Sequence, residues 1–106
     1  MKKHSGGGAW LAEVGREGDE LVFEVGGELD LSSVGPLEAA LSDALSREPA
    51  RVVFQVRELT FMDSSGIALL VATAQRVDHV ELRYASPMIR RVIELAGLSS
   101  ILPITS

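Results

Sequence analysis

Two hydrophobic periods alternate along this chain, and their order constrains the fold more than any other feature. Leu21, Phe23 and Val25 alternate with Val22, Glu24 and Gly26 across Glu20 to Glu28. That is the period of a strand with one buried face. Leu37, Ala40, Leu41, Ala44 and Leu45 then recur at helical spacing, with Glu38, Ser42 and Asp43 on the other faces. Val52 to Val56 reads as a second strand, β-branched and apolar, and the period of two returns in Val80, Leu82 and Tyr84, with an almost wholly apolar stretch, Ile67 to Ala74, between them. A helix apolar all round is expected to be mostly buried. Ser86-Pro87 opens a last helix in which Ile89, Val92, Ile93 and Ala96 share a face, and Gly97 stands at its C′ position, with Leu98 placed to reach back to Ile93.

Two further segments complete the order. Trp10 to Val14 reads as a short strand, closed by the turn cluster Gly15-Arg16-Glu17-Gly18-Asp19. Ile101 to Ile104 reads as a short strand or an extended tail. The sequence is therefore β-β-α-β-α-β-α, with a possible final strand. Helices between the later strands require crossovers, so part of the sheet is parallel. The strands alternate instead of running continuously apolar, so one face is expected to stay partly open. The expected fold is α/β: a mixed sheet of four to five strands with helices packed mainly on one face.

A chain of 106 residues holds one core. Residues 1–8 contain Gly6-Gly7-Gly8 and read as a flexible tail, leaving 9–106 as a single domain. The net charge is −5, and the acid is uneven: residues 1–50 carry ten Asp and Glu against Lys2, Lys3, Arg16 and Arg47. With no basic cluster, neither nucleic acid nor an anionic membrane is expected as a partner. No cysteine is present, which excludes disulfides, thiolate catalysis and Cys-ligated metals. Without a signal-peptide core or a long apolar run, a cytoplasmic location is expected.

Asp63-Ser64-Ser65-Gly66 is the most informative segment. It joins an apolar run, Leu59 to Met62, to the apolar helix. The first N–H groups of that helix lack partners one turn upstream, and the helix end carries partial positive charge. A hydroxyl there is expected to be exposed, and a phosphate on it would be held by those N–H groups. Gly66 allows close backbone approach or a positive φ. The plainer reading is that one of these residues caps the helix.

Nucleophilic catalysis needs a base held by a third group. His4 and His79 are the only histidines, neither has an evident orienting partner, and no Gly-x-Ser-x-Gly elbow is present. Glu17, Asp19 and Glu20 read as a solvated turn instead of a metal site. Arg90-Arg91 read as a solvated helix face, and Trp10 as packing at the sheet edge. No catalytic residue, metal or cofactor is expected.

Four segments taken together resemble the STAS family, in particular its anti-sigma factor antagonists, over roughly residue 10 to the C-terminus. They are Gly27-Glu28-Leu29-Asp30, Leu59-Thr60-Phe61-Met62-Asp63-Ser64-Ser65-Gly66, Ser86-Pro87, and Arg90-Arg91-Val92-Ile93-Glu94-Leu95-Ala96-Gly97-Leu98. The resemblance implies that Ser65 is phosphorylated by an anti-sigma factor that is itself a serine kinase. It implies that the unphosphorylated form binds that kinase and frees a sigma factor, and that a PP2C-type phosphatase resets the switch. Asp30 would line the same surface, and Asp63 and Ser64 would flank the acceptor. The alternative is a stand-alone adaptor subunit of another complex, such as a lipid-transport ATPase, with no need of Ser65 phosphorylation. The presence of Asp30 together with the complete Asp63 to Gly66 segment favours the switch. One departure from the family stands out: only Thr73 to His79 separates the second helix from Val80, without glycine, so the far end of that helix is short or rebuilt.

Overall fold

The computed structural model describes residues 3–105. Their order is β1 (Lys3–Gly6), β2 (Ala9–Glu17), β3 (Glu20–Leu29), α1 (Val34–Leu45), β4 (Arg51–Gln55), β5 (Leu59–Met62), α2 (Ser64–Ala74), β6 (His79–Arg83), α3 (Pro87–Leu95) and β7 (Ile104–Thr105). All seven strands join one mixed sheet in the order β1-β2-β3-β4-β6-β7, with β5 pairing the far end of β3. β1, β2 and β3 are antiparallel neighbours, and the remaining pairings are parallel, as the intervening helices require.

The strand count exceeds the expected four to five because of β1 and β5. Lys3–Gly6, read from sequence as part of a flexible tail, pairs with Ala9–Ala12 and forms the edge strand. The backbone hydrogen bonds of that pairing hold a segment with no apolar period of its own. Gly7 and Gly8 of the expected tail form the turn into β2, and residues 1 and 2 lie outside the described residues. β2 also continues through the expected turn cluster to Glu17, because a bulge at Val14 absorbs one residue and keeps the later pairs in register. Only Gly18 and Asp19 remain as the turn.

One face of the sheet carries the core. Leu21, Phe23 and Val25 of β3, Val52 and Phe54 of β4, and Val80 and Leu82 of β6 are buried against Leu37, Leu41 and Leu45 of α1, Leu69 and Leu70 of α2, and Ile89 and Ile93 of α3. Phe23 and Phe54 stack with ring centroids 5.9 Å apart, beneath the helices. The alternation read from sequence thus marks the buried face.

Among the described residues no helix covers the opposite face. It carries Ser5, Trp10, Glu24, Gln55 and the ion pairs Glu20–Arg51 and Glu81–Arg83. Burial alone would push the Glu81 carboxyl up, but the hydrogen bonds from Thr105 and Arg83 outweigh it and hold it below its ordinary value. Trp10 lies against Gly26 with the Lys3 ammonium 4.4 Å from its ring centroid, a cation–π contact that fastens β1 to the sheet.

The helices end as their sequences direct. Ser86 caps α3 by accepting the Ile89 N–H at 3.2 Å, with Pro87 in the first turn. At the far end Leu98 N–H bonds the Ile93 carbonyl and Gly97 N–H bonds that of Glu94, a Schellman closure. α2 departs from expectation on its outer side: Ala68 and Ala72 are exposed and Ile67 and Val71 half-buried. Small and branched apolar residues there face water because only one side of α2 meets the sheet and α1. No helix among the described residues is long and apolar enough to cross a membrane.

Candidate functional site

The site is built where two parallel strands end together. Leu29 of β3 pairs with Met62 of β5, and the Asp63 N–H donates to the Leu29 carbonyl at 3.2 Å. The next residue on each strand is an aspartate. Asp30 and Asp63 therefore emerge side by side at the C-terminal edge of the parallel strands, the edge at which open α/β sheets place their ligands.

Asp63 is the N-cap of α2. Its carboxylate accepts the N–H of Ser65 at 2.8 Å and of Gly66 at 3.4 Å. This corrects the expectation that those N–H groups stand free for a phosphate: the carboxylate already occupies them. Ser64 and Ser65 are the first two helical residues, Ser64 exposed and Ser65 half-buried. Gly66 is buried and has no positive φ; its role is close approach. A Cβ there would lie 2.6 Å from Met62 Cγ and 2.9 Å from Leu29 Cγ, so the absence of a side chain lets the first turn of α2 settle onto the strand ends.

Asp30 is held by a local turn. Its carboxylate accepts the Ser32 N–H at 3.0 Å and the Ser32 hydroxyl at 2.7 Å. The Ser32 bonds hold its carboxyl below the usual value of 3.8. A group depressed in this way stabilises the fold at pH above its unfolded-state value, and that contribution is lost as pH falls through the folded-state value. Ser32→Ala removes the hydroxyl donor. The Asp30 titration is expected to move back up toward 3.8, read from its carboxyl carbon by NMR; an unmoved titration would contradict this assignment. Ser33, the N-cap of α1, is fully buried and makes no cap bond with its side chain. Its hydroxyl instead donates to the Glu28 carbonyl at 2.8 Å and accepts the Asp30 N–H at 3.0 Å.

The same edge exposes apolar side chains that sequence reasoning did not assign to it. Leu31, beside Asp30, is 79% exposed, and Phe61 of β5 is 43% exposed. Tyr84, expected to continue a strand, leaves it at a φ of 63° and is exposed beneath the Arg57 guanidinium, 4.2 Å from its ring centroid. Leu31 carried a signal in the sequence: it is a large apolar residue outside both the strand alternation and the helical stripe.

The histidines lie elsewhere. His79 starts β6, at the opposite end of the parallel strands from Ser65, and His4 lines a cleft between the β1–β2 hairpin and α1. Among the described residues, no group of three His, Cys, Asp or Glu side chains gathers as a metal ion would require.

The sequence and the fold match known proteins. The family model described as "Mlab, STAS domain" matches residues 12–103. The anti-sigma-F factor antagonist RsfB of Mycobacterium tuberculosis is 28% identical over 81 residues, which cover 73% of this chain and 66% of that protein; the chain thus spans about two thirds of that relative's length. The crystal structure of an anti-sigma factor antagonist from Mycobacterium paratuberculosis superposes with a TM-score of 0.76 at 25% identity, covering 89% of this chain and 84% of that one. The anti-sigma factor antagonist SpoIIAA, solved in its unphosphorylated form, gives 0.73 at 28% identity, covering 91% and 86%. The family model matches across residues 12–103, and solved anti-sigma factor antagonists share the fold: the chain belongs to the STAS domain family.

Proposed function

We propose that this protein is an anti-sigma factor antagonist switched by phosphorylation of Ser65. The unphosphorylated form binds an anti-sigma factor that is also a serine kinase, and the sigma factor is released. Phosphorylation of Ser65 breaks that complex, and a PP2C-type phosphatase restores the competent form. The observation that carries this reading is the placement of Asp30 and the Asp63-Ser64-Ser65 turn side by side on one edge, with Leu31 and Phe61 exposed beside them. Carboxylates, hydroxyls and exposed apolar side chains on one surface suit a protein partner. The names of the relatives, and the unphosphorylated form in which SpoIIAA was solved, point the same way. Ser65 is chosen over Ser64 from the family resemblance; Asp63 and Ser64 flank it and Gly66 seats its helix.

Intact-protein mass spectrometry tests the reading. The protein is incubated with ATP and each serine-kinase anti-sigma factor of the source cell, alongside Ser64→Ala and Ser65→Ala. One added phosphate, absent only from Ser65→Ala, is expected. No phosphate with any kinase, together with stable binding into another complex, would replace the switch with the adaptor reading and leave the serines as parts of a helix terminus.

A further inference from the structure

We propose that the Gly7-Gly8 turn, between β1 and β2, is a positioning element for the Asp30 loop and, through that loop, for docking of the partner. The docking half rests on the switch reading above. The turn precedes the segment matched by the family model, which begins at residue 12.

The turn sits against the backbone that carries Asp30. The Gly8 carbonyl accepts the Glu28 N–H at 3.0 Å. Gly27 has a φ of +86°, and a Cβ on it would stand 2.0 Å from that same Gly8 oxygen. Only glycine fits both the conformation and the space. Gly27 also donates its N–H to the Glu58 carbonyl at 2.9 Å, and its own carbonyl accepts the Thr60 hydroxyl at 3.2 Å. One residue therefore ties the N-terminal turn to β3 and to the strand that leads into Asp63.

The other side of the turn meets α1's entry. A Cβ on Gly7, whose φ is +55°, would lie 3.1 Å from Ser33 Cβ and 3.2 Å from the Ser32 carbonyl oxygen. Ser32 holds the Asp30 carboxylate and Ser33 holds the Asp30 N–H. The groups that aim Asp30 thus have the N-terminal turn as their back wall. A side chain at Gly7 must push this loop or lift the turn from it, and either movement changes where Asp30 points.

Gly18 provides an internal control. Its φ of +59° is almost that of Gly7, yet a Cβ there would meet nothing within 4 Å. Gly7→Ala and Gly18→Ala therefore impose the same backbone strain, and only the first loads the Asp30 loop. Gly7→Asn keeps the steric load while relieving the strain, since Asn accepts left-handed φ more readily; it guards against a simple loss of folding. Two readouts are needed, amide hydrogen exchange at Glu28 and Asp30, and steady-state phosphorylation by the partner kinase. Gly7→Ala and Gly7→Asn are expected to speed exchange at both amides about tenfold. They are expected to raise KM about tenfold with kcat unchanged, the signature of lost docking without lost chemistry. Gly18→Ala should do neither. Exchange and KM in the Gly7 variants equal to those of Gly18→Ala would overturn the proposal. If no kinase phosphorylates the unmodified protein, the switch reading fails, and the exchange measurement alone still decides whether the turn positions Asp30.

Discussion

Ser65→Asp is expected to lower affinity for the anti-sigma factor by roughly two to three orders of magnitude, while Ser65→Ala keeps it near the unmodified value. The argument is electrostatic. The Ser65 and Gly66 N–H groups, which could help neutralise an anion, are already engaged by the Asp63 carboxylate, and Asp30 emerges on the neighbouring strand. A new carboxylate at Ser65 thus enters a surface that is already anionic. In a desolvated interface, like-charge placement costs several kcal/mol, and each ~1.4 kcal/mol is a factor of ten in affinity. A phosphoserine, with about −1.5 to −2 charges at neutral pH, is expected to do more. Calorimetric titration at two salt concentrations checks this; part of the loss should be recovered at high salt, where exposed charges are screened. The circular dichroism spectrum should not change, because nothing in the fold depends on a neutral hydroxyl at this position. Binding by Ser65→Asp within threefold of the unmodified protein would remove charge as the switching principle.

The second large effect is expected at Leu29. It is fully buried and belongs to the core. It lies where the first turn of α2 approaches the sheet, with its Cγ 2.9 Å from where a Cβ on Gly66 would stand. Leu29→Ala removes three heavy atoms from a site that cannot collapse easily, because β3 there is hydrogen-bonded to β5. Such truncations cost about 2–5 kcal/mol, against the ~5–15 kcal/mol that holds a domain together. A drop in Tm of more than about 10 °C is expected in a chain of this size. The same change at Leu95, which is 74% exposed, should stay within about 0.5 kcal/mol. Thermal unfolding of the two variants side by side is the check, and similar melting points would contradict the burial described here. Leu29 immediately precedes Asp30 and its main-chain carbonyl accepts the Asp63 N–H; alanine keeps that bond, but the lost packing beneath it is expected to loosen both aspartates.

What could be read in the sequence, and what could not, divides along one physical line. Periodic burial was legible: the alternating residues of β3 and β6 and the apolar stripes of α1 and α3 face the core as their spacing requires, while β4, apolar at Val52, Val53 and Phe54, is buried on both faces there. Features created by non-local backbone contact were not. Lys3–Gly6 has no apolar period, and its place on the sheet comes from pairing with β2. Leu59–Met62 is too short, and its burial too irregular, to announce a strand. Serine is usually exposed, so the full burial of Ser33 could not be foreseen; it follows from two hydrogen bonds to backbone at Glu28 and Asp30. The four residues of the site were legible as a helix terminus. Which of them caps was open, and the structure assigns that role to Asp63. Asp30 was placed beside them by family resemblance alone, and the register of β3 with β5 supplies the physical reason.

That register also says when the surface comes into being. β3 pairs with three strands: β2 through a two-residue turn, and β4 and β5 only after α1 has crossed over. Local pairings close quickly, whereas parallel ones wait for longer loops to be ordered. The β2–β3 hairpin can therefore form on a nascent chain, but Asp30 gains its neighbour only once residues 59–63 have been synthesised and docked. On the proposed switch, a kinase reading both aspartates would distinguish a finished molecule from an unfinished one. On that reading the surface would double as a certificate of folding, one that an incomplete chain does not carry.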